Sequence, residues 1–264
     1  MAESRFVHLR VHSEYSLVDG MVRIKPLMQA VSERGMDAVA VTDFCNLFAV
    51  VKTFQSAMTW GVKPILGADL PCHSPEKPDD VTSVVLLCQN MLGYQNLTRL
   101  VSRAYVEGQH QGVPRIHHDW IQPDAMEGLI ALSGGRTGEV GRALLLDDEV
   151  EAHRIAKRWS QTFPGRFYLE IQRTGRPDEE AYNERVVRLA DSLNLPLVAT
   201  NDVCFLDESE FDAHEARVCI HDGYTLADTR RPRTYAPAQY LRSADEMCVL
   251  FSDLPEALQN TVEI

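Results

Sequence analysis

Apolar runs of strand length recur along the chain at 6–11, 37–42, 64–70, 82–88, 128–133, 166–171 and 196–200. They are short and rich in Val, Ile, Leu and Phe, as strands buried on both faces are. Between most of them the period changes. Apolar residues return every three to four positions over 24–35, 47–61 and 90–108, which predicts helices. A further helix is predicted over 178–195, opened by Pro177 and an acidic first turn. Gly35 and Gly61 stand where the first two helices should stop. Residues 72–81 and 109–124 read as loops. Residues 221–239 read as an irregular excursion carrying the basic cluster Arg230, Arg231 and Arg233. Two more helices are predicted over 243–264. The second breaks off in mid-pattern at Ile264, with neither cap nor glycine, so the chain is expected to be a piece of a longer polypeptide.

Seven strands separated by helices predict an α/β fold with a parallel sheet and right-handed crossovers. A closed barrel and an open sheet both satisfy the pattern. The barrel is favoured because polar residues follow many strands instead of gathering at one crevice. No glycine-rich phosphate loop follows the first strand, which argues against a dinucleotide-binding sheet. No internal repeat is found.

Composition narrows the function. At 264 residues the chain is one large domain or two small ones. Its formal net charge of −12 repels phosphate backbones, so general nucleic-acid binding is not expected. No apolar run reaches the roughly 18–20 residues that span a bilayer, and 1–16 lack the apolar core of a signal peptide. The six cysteines form no CxxC pair, consistent with reduced thiols in a cytoplasmic protein.

In parallel α/β folds chemistry sits on the loops that follow the strands. There the sequence places His12, Asp19, Asp43, Asp69 and Asp202. One histidine among several carboxylates is the donor set of a metal site for phosphate esters. Each carboxylate alone is as readily a cap for the next helix. Asp212, His214 and Glu215 read as a helix N-terminal turn, with His214 close to the barrel.

The segments 6-FVHLRVHSEYSLVDG-20, 40-AVTDFCNLF-48, 63-KPILGADL-70, 93-GYQNLTRLVSRAY-105, 129-LIALSGGRTGEVGRALL-145, 168-YLEIQRTGRPDEE-180, 198-VATNDVCFLD-207 and 211-FDAHEARVCIHDG-223 carry a more specific signal. Together they resemble the polymerase-and-histidinol-phosphatase (PHP) domain at the N-terminus of bacterial DNA polymerase III alpha subunits, of the Gram-negative replicative type. The resemblance covers the whole chain, 1–264. It implies a distorted (β/α)7 TIM-like barrel, the PHP fold. Residues 243–264 would then begin the helices leading towards the polymerase core. The nucleotidyltransferase centre of the DNA-directed DNA polymerase would lie outside this chain.

Metal-binding members of that family hold a trinuclear site. Carried over residue by residue, its positions fall on Arg10, His12, Asp19, Phe44, Asp69, Ser83, Gly135, Asp202 and Cys204. His12, Asp19 and Asp202 are retained, Asp69 is a shortened glutamate, and Cys204 is a substitute ligand at best. Arg10, Phe44, Ser83 and Gly135 cannot serve. A guanidinium offers donors and a fixed positive charge but no lone pair, so Arg10 is expected to pair with Asp19, Asp69 or Asp202. Phe44 is expected to fill space a metal would need. The resemblance therefore implies a degenerate site without cofactor. It also implies a scaffold role beside the polymerase core of the same chain and docking of the proofreading exonuclease subunit. The alternative is a residual phosphoesterase, pyrophosphatase or 3′–5′ exonuclease. It would hold divalent Mg, Mn or Zn on His12, Asp19, Asp69 and Asp202, with Asp43 as candidate base. A free-standing histidinol-phosphatase-type enzyme fits least well.

Overall fold

The computed structural model describes residues 5–74 and 77–264. The first four residues of the N-terminal stretch, and residues 75 and 76 of the loop predicted at 72–81, lie outside that range. An extended segment, 6–12, leads into α1 (Ile24–Glu33), β1 (Ala38–Val41) and α2 (Val50–Trp60). Then come β2 (Lys63–Ser74), β3 (Lys77–Cys88) and α3 (Met91–Glu107), followed by three two-residue strands, β4 (Gln109–His110), β5 (Val113–Pro114) and β6 (Ile116–His117). The chain continues through β7 (Leu129–Leu132), α4 (Glu139–Leu145), α5 (Glu149–Thr162), β8 (Phe167–Gln172), α6 (Glu179–Leu193) and β9 (Leu197–Thr200). It ends in α7 (Phe211–Asp222), α8 (Ala244–Leu250) and α9 (Pro255–Glu263).

The main sheet runs β1-β2-β3-β7-β8-β9, with β6 attached to β2. Segment 6–12 completes the ring. On one side the Ala40 and Thr42 amides donate to the carbonyls of His8 and Val11, at 2.8 and 2.9 Å. On the other, the His12 amide donates to Val203 O at 2.8 Å and the Val203 amide to Arg10 O at 3.1 Å. The result is the distorted TIM-like barrel that the sequence implies.

Three expectations need correction. The sheet is not wholly parallel, because β3 runs against both β2 and β7. A hairpin joins β2 to β3 and leaves no room for a crossover helix. Accordingly, the described part of 72–81 forms the arms of that hairpin instead of a loop. The predicted first strand pairs only through isolated bridges, His8 to Val39 and Val11 to Val203. Its alternation slips between Leu9 and Arg10. Leu9 packs with the inner cluster and Val11 with the outer core, while Arg10 and His12 both reach the carboxylates at the barrel mouth.

The helices form as their periodicity predicts. α1 buries Ile24, Leu27, Met28 and Val31, one stripe at three-to-four spacing. The Asn90 side chain caps α3 by accepting the Gly93 amide at 3.0 Å, and Gly61 ends α2 in the left-handed region at φ 68°. Inside the barrel Val7, Leu9, Val85, Leu87, Leu132 and Val198 form an apolar plug, against which Ile264 packs. α9 closes this end. Thr261 Oγ1 accepts the Val7 amide at 3.1 Å, and Asn260 Nδ2 donates to Leu197 O at 2.7 Å. The opposite end, at the C-termini of most strands, is polar.

Candidate functional site

Arg10 is 5% exposed and stands at the centre of the polar end. Its Nη2 donates to Asp69 Oδ2 on β2 at 2.5 Å, and its Nε lies 3.0 Å from Asp202 Oδ1 beyond β9. Its Nη1 reaches both oxygens of Glu170 on β8 at 3.3 Å. Ser83 on β3 lies 3.4 Å from Nη2 and donates to Asp69 Oδ1 in a short hydrogen bond. One guanidinium thus joins three carboxylates from three separate staves.

A second guanidinium extends the lattice. Arg176 donates to Asp202 Oδ2 at 2.6 Å, to Gln172 Oε1 at 2.6 Å and to Glu179 Oε1 at 2.9 Å. Glu179 also accepts the Thr174 and Gly175 amides, which fixes the loop that carries Arg176. Asp202 itself sits at φ 46°, a left-handed conformation uncommon outside glycine, held from both sides by these cations and by Gln239 Nε2 at 3.1 Å.

His12 bridges to the other half of the site. Its Nδ1 meets Asp19 Oδ2 at 2.9 Å and its Nε2 meets Asp69 Oδ2 at 3.3 Å. Asp19 further accepts Ser16 Oγ at 3.0 Å and Tyr235 OH at 3.1 Å. His214 on α7 holds the backbone here, with its Nε2 2.8 Å from Asp19 O.

The ionisation states follow from these contacts. Burial alone would favour the neutral form of each group. For Asp202 the charges of Arg10 and Arg176 outweigh it, and the carboxyl is driven far below its usual range. Asp69 is likewise lowered, burial being overcome chiefly by Arg10. For His12, burial is outweighed by the charge and hydrogen bond of Asp19, which raise it well above 6.5. At Cys204 burial prevails over the hydrogen bond with His12. Burial pushes its thiol up to about 12, so it stays protonated.

The structure sorts the expected positions clearly. Arg10, His12, Asp19, Asp69, Ser83, Asp202 and Cys204 converge. Asp19 does not pair with Arg10, as one expectation had it, but with His12 and Tyr235. Phe44 bridges to Asp69 through its backbone, and its ring packs against the outer core. Gly135 lies at φ 59°, and a Cβ there would stand 3.2 Å from Gln172 Oε1. Asp43 spends both carboxylate oxygens on Ser13, one on its amide at 2.6 Å and one on its hydroxyl at 2.8 Å. Sequence reasoning missed Glu170, Gln172, Arg176, Tyr235 and Gln239. Glu170 had a signal, since it is the single charged residue within the apolar run 167–171.

Two groups of donors lie close enough to share an ion. The ligand atoms of His12, Asp69 and Asp202 fall within 4.8 Å of one another, as do those of His12, Asp19 and Cys204. In the first group Arg10 already contacts both carboxylates. In the second, Asp19 already receives Ser16, His12 and Tyr235.

Comparison with known proteins agrees with the fold. Residues 8–174 match the family described as PHP domain. The chain is 51% identical over 264 residues to the DNA polymerase III subunit alpha of Escherichia coli O6:H1 (strain CFT073), covering all of this chain and 23% of that protein. It is 53% identical over 259 residues to the subunit of the same name from Pseudomonas aeruginosa PAO1, covering 98% of this chain and 22% of the relative. The chain therefore spans under a quarter of the length of these relatives. Among solved structures, a putative metal-dependent phosphoesterase from Bifidobacterium adolescentis aligns with a TM-score of 0.51 at 11% identity, over 76% of this chain and 88% of that one. An amidohydrolase from Chromobacterium violaceum, with bound SO4 and no metal, aligns at 0.52 and 12% identity, over 80% and 96%. At such identities these two structures speak to the fold alone. The barrel, the arrangement of its mouth and the match over 8–174 lead to one assignment: the chain belongs to the PHP domain family.

Proposed function

We propose that this chain is the PHP module of a replicative DNA polymerase alpha subunit, in which a guanidinium–carboxylate lattice does structurally what metal ions do in metal-binding relatives. The observation that carries this reading is the position of Arg10, in direct contact with Asp69, Asp202 and Glu170. A fixed positive charge there repels a divalent cation and uses the lone pairs a cation would need. The donor set therefore does not fit a polynuclear centre. Metal content per chain tests the reading, on protein purified without chelator with zinc, manganese and iron supplied. The expected value is near zero, and one or more tightly held ions per chain would overturn it.

In this reading the module supports the polymerase core of the same polypeptide and docks the proofreading exonuclease subunit, in the cytoplasm. No helix among the described residues is long and apolar enough to cross a membrane. What favours docking is the outer face of α2. Val51, Phe54, Gln55, Met58, Thr59 and Trp60 are exposed and uncharged, and the neighbouring Lys52 is paired with Glu14. Phe48 and Tyr105 extend this surface, their ring centroids 6.4 Å apart. Exposed apolar patches of this kind mark interaction surfaces. The exonuclease subunit is expected to co-purify with the chain at micromolar concentration and to be lost on Phe54→Glu. No binding by the unaltered chain would remove the docking role.

A second reading, a residual metal-dependent phosphoesterase, draws on the proximity of His12, Asp69 and Asp202. It requires Arg10 to leave the site. Phosphoesterase activity that survives His12→Ala and Asp202→Ala would exclude this site as its source.

A further inference from the structure

The irregular stretch after α7 crosses the barrel mouth, and its two halves are attached differently. The C-terminal half is pinned by backbone. Asn201 Nδ2 donates to the carbonyls of Ala238 and Tyr240, both at 2.8 Å, and the Cys204 and Leu241 amides pair with Gln239 O and Phe205 O at 3.0 and 3.1 Å. The Gln239 side chain reaches both Asp202 and the Ala236 amide.

The half at 224–235 has little of this. Residues 221–230 are exposed almost throughout, and Arg230 is spent locally on Asp228. Past its start, where the Tyr224 amide caps α7 through Cys219 O, this half holds to the barrel chiefly by two side chains. Arg231 pairs with Glu215 of α7, and Tyr235 donates to Asp19 while its ring meets His214 edge-on at 4.7 Å. An open groove of about 590 Å³ lies beside it, with Phe211, Glu215, Leu226, Arg233, Tyr235 and Pro237 among its walls.

We infer that residues 224–235 form a hinged lid over the barrel mouth, latched by Arg231–Glu215 and Tyr235–Asp19 and hinged at the pinned stretch 236–241. Opening bares His12, Asp19 and Cys204 to small solutes, while the lattice around Arg10 stays assembled. The inference holds whether or not the site ever takes a metal.

Cys204 supplies the test. It is 0% exposed, and its Sγ lies within 4.8 Å of the Asp19 carboxylate to which Tyr235 donates, whereas Cys45 and Cys72, at 0% and 1%, are buried elsewhere. When opening is fast relative to labelling, modification by iodoacetamide follows the population of the open form. The rate at each cysteine would be read by peptide mass spectrometry in the unaltered chain, in Tyr235→Phe and in Glu215→Gln. Loss of either latch should raise labelling of Cys204 about tenfold, leaving Cys45 and Cys72 unchanged. Two results would overturn the lid: no change at Cys204 in either variant, or a parallel rise at all three thiols, which is global unfolding.

Discussion

His8 and His12 lie four residues apart on one stave of the barrel, both nearly free of solvent, and the protein treats them in opposite ways. His8 stands near the apolar end. Its Nε2 donates to Arg242 O at 2.8 Å, its Nδ1 has no hydrogen-bond partner among the described residues, and burial lowers it to about 4. His12 stands at the mouth between Asp19 and Asp69, which raise it against the same burial. The difference teaches that burial does not set the charge state of a group. The partners do, and the two ends of this barrel offer different partners. One end is closed by side chains that avoid water. The other is closed by ions that satisfy one another.

The sharpest way to break that contrast is to remove the ion on which the mouth depends. Arg10→Met keeps much of the side-chain length and deletes the charge. Asp69, Asp202 and Glu170 then face one another without their shared counter-ion. Breaking a buried pair from one side costs about 3–5 kcal/mol, and here three carboxylates lose the same partner. Denaturant unfolding should show a loss of that order. A loss under about 1 kcal/mol would mean that Arg176 and water carry the lattice without Arg10.

The two histidines also predict opposite tilts in stability against pH. His8 has a folded value of about 4 against an unfolded value near 6.5, so the unfolded chain binds the extra proton between those limits. Its contribution is present above about pH 6.5 and is lost as pH falls towards 4, amounting to about 3 kcal/mol. His12 has a raised folded value, so its contribution is complete below about pH 6.5 and is lost as pH rises through that folded value. Thermal unfolding from pH 7.5 to 4.5 should show the first loss in the unaltered chain and much less of it in His8→Phe. Identical slopes for the two proteins would remove His8 as the source.

Much of this is legible in the sequence. The helical stripe of α1 and the stop at Gly61 follow from period and glycine chemistry, and they hold. The ligand-by-ligand reading also placed Arg10 among the carboxylates. The antiparallel β3 was not legible, because a strand buried on both faces reads the same in either direction. Nor was the slip between Leu9 and Arg10, since it breaks the alternation that makes a strand readable at all. Arg176 and Tyr235 escaped for a different reason. They reach the mouth from loops, and nothing in local spacing tells where a loop returns.

The apolar end has its own point of attack. The Val7 amide is buried and donates to Thr261 Oγ1. Thr261→Val keeps the shape and removes the acceptor, leaving the amide unpaired, at a cost of about 1–3 kcal/mol. Hydrogen exchange at Val7 should quicken while His12 and its neighbours remain protected. Equal loosening at both ends would show that the plug and the lattice fold as one unit, and the contrast drawn above would then be one of chemistry only.

The smallest effect is expected where the geometry looks most like the mouth. Lys52 Nζ lies 2.6 Å from Glu14 Oε1, nearly the separation of Arg10 and Asp69, and 5.4 Å from the ring centroid of Tyr15. The two side chains are 40% and 31% exposed, against 6% and 3% for the buried pair. Water and salt screen the exposed pair, and ordering a lysine costs entropy, so distance says little about its worth. Lys52→Ala should change unfolding free energy by under about 0.5 kcal/mol, and less still at high salt. If it instead rivals Arg10→Met, then proximity and not burial governs these pairs, and the lattice at the mouth loses its claim to be the element that closes that end of the barrel.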